Sequence, residues 1–364
     1  MHDFGTIAGN FRLKGTFESC EPYGSGHIHE TYLLRTACSD KTCQDYILQL
    51  FNVNVFREPG KVMHNIRLVT EYLKQRSGIT DKYLSIIPAL DGSPSYTDQA
   101  GNVWRCLPYF PYSITYDKVT DPVIAFEGAR MFGHFMRSLE DFDPGRLFET
   151  IPGFHDMQHR LEQFDQAVRE DTAGRVVNTR DEIEKIRKYM HIGNEFIQAR
   201  KRLPVRAIHH DTKINNVLFN EKSGRGLCVI DLDTLMPGTV MSDYGDMVRT
   251  FTNSADEDEP DLNMVYCRGD ILQELTRGFL SEVGNMITQD EKECLLLGGK
   301  GLIYMQGVRF LADYINGDIY YKIAYQDHNL VRTRNQLKML ESLIEQEGSF
   351  EIKSMFPSDE SDGN

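Results

Sequence analysis

The chain has 364 residues, room for about two domains at roughly 150 residues each, so a large core can form without disulfides or metals. Asp plus Glu exceed Lys plus Arg, 54 to 40, a formal net charge of −14, which argues against a nucleic-acid binder working by phosphate counterion release. No apolar run approaches the ~18 residues that cross a bilayer, so no membrane span is expected.

Residues 1 to about 107 read as a strand-rich lobe with one helix. Phe17 to Pro22 and Thr31 to Arg35 flank a turn through Gly24, Ser25, Gly26 and His27, and Tyr46 to Phe51 is a third strand. After Pro59-Gly60, Val62, Ile66, Val69 and Leu73 recur at helical spacing. Leu84 to Leu90 and Val103 to Leu107 read as two more strands. The stretch Pro108-Tyr109-Phe110-Pro111 follows as a hinge, and from 112 to 364 the periodicity is mainly helical. Asp121 before Pro122 is a good N-cap with proline at the first helical position. Ile183, Ile186, Met190, Phe196 and Ile197 predict a further helix, and Thr288 with Glu291 predicts a capping box. Seven scattered cysteines without a C-x-x-C pair predict reduced thiols in a cytoplasmic protein. The start, MHDFGTIAGNF, has no basic segment leading into an apolar one, so no secretory signal is expected.

The segment Val205 to Asp233, VRAIHHDTKINNVLFNEKSGRGLCVIDLD, carries the chemistry. A polar loop, His209 to Asn216, precedes strand Val217–Phe219, a turn, and strand Leu227–Ile230 ending at Asp231. If the strands pair antiparallel, Asn216 and Asp231 emerge at one end of the hairpin beside Asp211. An amide oxygen and a carboxylate there suit magnesium, which takes few protein ligands and shares the rest with phosphate and water. Asp211 can accept or orient a hydroxyl proton, and Lys213 can neutralise a transferring phosphoryl group.

The spacing His-x-Asp-x-Lys-x-x-Asn, with a hairpin ending in Ile230-Asp231, resembles the catalytic segment of the protein-kinase-like superfamily, in its aminoglycoside phosphotransferase and choline kinase branch. Further blocks resemble the N-acetylhexosamine 1-kinases: Glu21-Pro22-Tyr23-Gly24-x-Gly26-His27-Ile28, Tyr46-Ile47-Leu48-Gln49, Ile230 to Gly238, Asp243-Tyr244-Gly245-Asp246, Arg309 to Tyr314 and His328 to Arg332. The resemblance implies an α+β, two-lobed kinase-like fold with a small strand-rich N-lobe (1–107), a hinge (108–111) and a larger, mainly helical C-lobe (112–364). It also implies ATP- and Mg2+-dependent phosphorylation of the anomeric hydroxyl of N-acetylglucosamine and N-acetylgalactosamine.

On that resemblance Asp211 becomes the base or orienting group for the sugar, assisted by Lys213, and Asn216 and Asp231 become magnesium ligands. Gly24, Ser25 and Gly26 fold over the phosphates, adenine sits by backbone groups near Leu107 to Phe110, His27 reaches sugar or phosphate, Asp233 the sugar or a second metal, and Arg309 and Tyr320 match positions associated with the sugar. Arg309 can instead form a structural ion pair with Asp313. His209 is expected to brace the loop and His210 to be a variable position. Asp243 and Asp246, after Pro237-Gly238, are expected in a polar turn, where such acids in related kinases hold the catalytic loop by hydrogen bonds or salt bridges and a solvated helix N-cap is the alternative; Arg249 can pair with Asp246 on a helix. Gln49 stands where broader kinases carry a phosphate-pairing lysine, which leaves the triphosphate's charge balance open.

Other readings remain. A kinase of a cationic alcohol, aminoglycoside or choline, would favour an acidic cleft, and Glu257, Asp258 and Glu259 keep it open. A metal-dependent phosphohydrolase is suggested by His210-Asp211 but lacks an upstream histidine pair; a non-catalytic kinase-like module would not need Asp211, Asn216 and Asp231 together. The expected partners are ATP and a small sugar, with no nucleic acid or membrane, and the sequence leaves the oligomeric state open.

Overall fold

The computed structural model describes residues 2–24, 28–38, 43–76 and 82–349. Helix α1 (Phe4–Ala8) opens the chain, followed by strands β1 (Thr16–Pro22), β2 (Glu30–Ala37) and β3 (Tyr46–Leu50). Helix α2 (Pro59–Arg76) buries Val62, Ile66, Val69 and Leu73, the periodic residues of its sequence. Short strands β4 (Tyr96–Thr97) and β6 (Ser113–Ile114) flank β5 (Val103–Pro108). Helix α3 (Pro122–Ser138) begins as expected, the Asp121 side chain accepting from the amides of Val123 and Ile124.

Next come α4 (Met157–Glu170), α5 (Arg180–Lys188) and α6 (Met190–Arg202), then β7 (Arg206–Ile208), β8 (Val217–Asn220), β9 (Gly226–Val229) and β10 (Met236–Gly238). Helices α7 (Val240–Phe251), α8 (Gly269–Val283), α9 (Gln289–Glu293), α10 (Leu295–Ile315) and α11 (His328–Gln346) complete the chain. The capping box at Thr288 and Glu291 is present.

Three expectations change. Leu84 to Leu90 forms no strand; only Ile87 and Ala89 make isolated bridges, to Cys106 and Phe11, because Pro88 between them has no N–H to extend a ladder. The helix expected from Ile183 to Ile197 is two helices, separated at Tyr189, whose amide turns back to the Lys185 carbonyl. Cys38 and Cys43 are joined in a disulfide, their Cα atoms 5.5 Å apart, a spacing that sulfur–sulfur bonds span; Cys20, Cys106, Cys228, Cys267 and Cys294 are free.

The chain divides into two compact units that are not contiguous in sequence. The first takes the residues up to Ile114, Asp141–Ile151 and Leu218–Pro237; the second takes Thr115–Glu140, Pro152–Val217 and the chain from Gly238 onward. Residues 108–111 therefore fall within the first unit, and two later segments return to it.

In the first unit a five-stranded antiparallel sheet runs β1-β2-β3-β5-β4, and β6, β8 and β9 form a three-stranded one. Tyr46 and Leu48 of β3 point into a core with Leu34, Trp104, Cys106 and the α1 residues Ile7 and Ala8, as period-two alternation requires. The opposite face of β3 carries Gln49, in register with Thr31 on one side and Arg105 on the other.

In the second unit α10 is the central helix, packed by α4, α6, α7 and α11, while α3 lies along α8. Buried residues occur all round α10, the pattern of a core helix rather than an amphipathic one. Its crossing with α7 is backbone to backbone: a Cβ on Gly245 would lie 2.4 Å from the Gly298 carbonyl oxygen. Gly245→Ala should therefore destabilise the fold by about 2 kcal/mol, overpacking outweighing alanine's gain of up to ~1 kcal/mol in helix propensity. Urea denaturation measures this, and a more stable variant would show that the crossing relaxes freely.

Candidate active site

The loop after β7 is fastened to the start of α7 by two carboxylates. Asp243 accepts the backbone amides of His209 (2.9 Å) and His210 (2.7 Å), and Asp246 accepts that of Thr212 (2.9 Å). The Thr212 hydroxyl donates to the Asp243 carbonyl at 2.7 Å. Asp243 and Asp246 are thus not in a polar turn but in a buried helix, 1% and 3% exposed, where unpaired loop amides would otherwise carry a desolvation cost. Arg249 pairs with Asp246 at 2.8 Å as expected, and also with Glu257 at 2.8 Å. Burial pushes the Asp243 carboxyl up to about 6, against the opposing pull of His209 and the two amides.

This anchoring presents Asp211. Its carboxylate receives Lys213 Nζ at 3.1 Å and Asn216 Nδ2 at 3.2 Å, and the same amide nitrogen donates to the Asp211 carbonyl at 2.9 Å. Burial works to raise the Asp211 carboxyl, but the charges of Lys213 and His209 outweigh it and hold the group below the usual range. Asp211 is therefore ionised at neutral pH and suited to accept a hydroxyl hydrogen. Lys213 is held above its ordinary value chiefly by Asp211.

His209 is fully buried, ring edges of Phe132 and Phe135 against it, consistent with a bracing role. His210 is more constrained than a variable position. It is 5% exposed, takes φ 67°, has Nδ1 3.3 Å from Nδ1 of buried His155, and leaves no room for a side chain at Gly238. Burial, then the charges of His210 and Arg309, keep His155 well below the usual imidazole range, hence neutral.

Asn216 donates its amide nitrogen to Asp211, which directs the amide oxygen away from that contact. Asp231 follows β9 with φ 58°. Asn216 belongs to the second unit and Asp231 to the first; by their chemistry an amide oxygen and a carboxylate are each donor types that magnesium takes. No group of three or more His, Cys, Asp or Glu able to hold a metal occurs among the described residues.

In the first unit, Asp233 is 2% exposed and both its oxygens are engaged within that unit. Arg105 reaches both of them, Nη2 to Oδ2 at 2.9 Å, and His29 Nε2 lies 2.5 Å from Oδ2. The Asn52 amide donates to His29 Nδ1 at 3.0 Å, so Nε2 carries the hydrogen given to Asp233. Burial alone would raise the Asp233 carboxyl; Arg105 and His29 hold it well below the carboxylate range. The expected sugar contact of Asp233 is therefore corrected to a structural anchor. Arg105 also donates Nε to Gln49 Oε1 at 2.8 Å, and Gln49 Nε2 donates to Thr31 at 3.0 Å. A cation thus stands one strand over from the position where a lysine is missing. An arginine inside the apolar run Val103-Trp104-Arg105-Cys106-Leu107 was the sequence signal for this buried pair; His29 had none.

Of the expected phosphate loop, Gly24 has φ 76°, while Ser25, Gly26 and His27 lie outside the described residues. Leu107 is buried opposite Ile47. The Tyr109 amide donates to the Asp45 carbonyl at 3.1 Å, and the Phe110 carbonyl accepts from Ser113 at 2.6 Å, so those two backbone groups already have partners.

In the second unit a cavity of about 290 Å³ is bordered by Arg160, Gln163, Arg309, Asp313, Tyr320 and Tyr321, among others. Arg309 forms no ion pair with Asp313, the structural alternative. Its guanidinium lies 5.5 to 5.9 Å from the ring centres of Phe154, Tyr320 and Tyr321. Asp313 instead accepts the backbone amides of Ile319, Tyr320 and Tyr321 at 2.8 to 3.0 Å, fixing the segment that presents both tyrosines. Phe154, over which Arg309 lies, stacks on His155 and meets His210 edge-on, so ring contacts lead from a residue bordering the cavity to the one before Asp211. The acidic run is already partnered: Glu257 by Arg249, Asp258 by His328 at 3.0 Å, and Glu259 by the Asp261 amide at 2.9 Å.

Two outcomes follow. Asp233→Ala strands the buried Arg105 charge and should cost about 3 to 5 kcal/mol, read by urea denaturation; a loss under 1 kcal/mol would mean the pair is dispensable. For Asp243, the folded value near 6 exceeds the ordinary 3.8, so between these values the fold holds a proton that the unfolded chain releases. Its contribution to stability therefore decreases as pH rises from 3.8 to about 6. That share of the pH dependence should vanish in Asp243→Asn, and an unchanged slope between pH 4 and pH 6.5 contradicts the assignment.

The pattern of the phosphotransferase enzyme family matches residues 19–275. Among solved structures, the aminoglycoside phosphotransferase of Alicyclobacillus acidocaldarius is similar at TM-score 0.61 and 11% identity, covering 95% of this chain and 96% of that one. Spectinomycin phosphotransferase, solved with ADP and spectinomycin, gives 0.56 and 11% over 91% and 94%. Choline kinase of Cryptosporidium parvum gives 0.52 and 12% over 93% of each chain. At these identities the likeness speaks for a common fold, and the family match, over more than two thirds of the chain, for descent: the protein belongs to the phosphotransferase enzyme family.

Proposed function

We propose that the protein is an ATP- and magnesium-dependent 1-kinase of N-acetylhexosamines, transferring the γ-phosphoryl group in line to the anomeric hydroxyl. The observation that carries the sugar over a cationic alcohol is the cavity at Arg309 and Tyr320. Arg160 and Arg309 both border it, and two cations disfavour an aminoglycoside or choline cation there, while of the acidic run Glu257 is paired with Arg249 and Asp258 with His328. A guanidinium, two tyrosines and a glutamine suit hydroxyls and an acetamido oxygen. The resemblance of the Arg309 to Tyr314 block to N-acetylhexosamine kinases agrees with that chemistry.

In this reading Asp211 orients the sugar hydroxyl and takes its proton as the bond to phosphorus forms. Lys213, beside Asp211, neutralises charge on the transferring group. Asn216 and Asp231 would hold magnesium, which supplies charge neutralisation and alignment of the phosphates when bound. Arg105 keeps Asp233 in place two residues after Asp231. The ADP of the related spectinomycin enzyme supports an adenine nucleotide as donor.

ADP release with N-acetylglucosamine, N-acetylgalactosamine, glucose, galactose, choline and kanamycin, followed by phosphorus NMR of the product, tests the reading. An anomeric phosphate on an N-acetylhexosamine is expected, and turnover confined to choline or kanamycin overturns it. Asp211→Ala should lower kcat by about 10³-fold with ATP binding retained, and near-normal turnover removes Asp211 from its role. Gln49→Lys should lower stability without raising kcat, because it sets a second cation against Arg105; a large gain in kcat would show that a lysine was wanted there.

A further inference from the structure

Arg160 on α4 and Arg309 on α10 border the same cavity, and neither has an ion-pair partner among the described residues. Arg160 donates Nη1 to Gln163 at 2.9 Å and Nη2 to the Phe154 carbonyl at 3.2 Å, while its Nε is buried without a hydrogen-bond partner. Arg309 donates Nη1 to Gln306 at 3.0 Å and otherwise meets aromatic rings. The nearby acids are engaged elsewhere, Asp156 by Arg200 at 3.3 Å, Asp313 by its amides and Glu170 by Gln166. Burial, with Arg309 adding to it, pushes the Arg160 guanidinium down to about 10. Two neighbouring guanidinium groups without an ion pair, one with an unpaired buried donor, are unfavourable as they stand, and the carboxylates of Glu170 and Asp313 that border the same cavity pair with neither. An arriving anion would pair with both guanidinium groups.

We infer that this cavity is an oxyanion subsite in which Arg160 and Arg309 together hold a carboxylate, sulfate or phosphate group. The guanidinium fork suits such groups. At about 290 Å³ the space exceeds a bare anion, so a sugar with an acidic substituent fits the chemistry as well as a free oxyanion. The first source rests on the sugar reading above; the subsite itself does not.

Isothermal titration calorimetry on the full chain, without nucleotide, tests it with inorganic phosphate, N-acetylglucosamine 6-phosphate and N-acetylglucosamine. At least one of the two anions should bind, and Arg160→Gln should weaken it about tenfold or more. Phosphate sensitive to Arg160 identifies a free oxyanion; sensitivity of the sugar phosphate alone identifies a substituent. No binding of either anion, or binding indifferent to Arg160→Gln, overturns the inference. Should that variant fail to fold by circular dichroism, Arg309→Gln carries the same test. Since binding is read without turnover, failure here leaves the kinase assay to decide the proposed function separately.

Discussion

A loop with little regular hydrogen bonding of its own is held in one shape by two carboxylates buried in a helix. Asp243 and Asp246 accept three amides of the His209–Thr212 segment, which contains Asp211 and leads directly into Lys213 and Asn216. The helix that carries them can approach α10 closely because Gly245 and Gly298 meet where side chains cannot. Loop geometry is thus traceable in part to the absence of two methyl groups, one of them at Gly245, between the anchoring acids. Ionising buried carboxylates is costly, and the raised Asp243 carboxyl records that cost; preorganisation of a charged loop is what it secures.

The acidic composition conceals an uneven charge arrangement. Many of the acids near the chemistry are consumed internally: Asp233 by Arg105, Asp246 and Glu257 by Arg249, Asp258 by His328. At the cavity, Arg160 and Arg309 lie among the carboxylates of Glu170 and Asp313 without pairing with them. A protein with a net charge of −14 can in this way keep unpaired guanidinium groups at one place, since screening limits the reach of distant surface acids to about 10 Å at 0.1 M salt.

The strands before residue 60, helices with sharp caps, and the hairpin around Asp231 were legible in the sequence because alternation, Asp121-Pro122 and the Thr288–Glu291 pair are local signals. So was the Asp211 segment, whose polar spacing stands out between apolar strands. The missing strand at Leu84–Leu90 was read from composition that Pro88 overrides. Arg105 with Asp233, separated by 128 positions, and Arg160 with Arg309 depend on contacts that no local pattern encodes. His210 was misjudged for the same reason: its constraint comes from His155 and from the bare backbone at Gly238, both distant in sequence. The division of the chain into interleaved units was likewise hidden, since segments 141–151 and 218–237 carry no marker of the unit they join.

Asp313 ties three successive amides, Ile319 to Tyr321, to one side chain on the central helix. The bonds fix the backbone and leave the side chains at 319 and 320 largely exposed. At positions 319 and 320 such a segment behaves as an exchangeable cassette, its main-chain path set from outside, while Tyr321 stays packed against Phe310 of the helix beneath. If the cavity takes the acceptor as proposed, changing the acceptor would be a matter of rewriting side chains at 319 and 320 while keeping Asp313, a route by which enzymes on one scaffold can diverge without re-evolving a core.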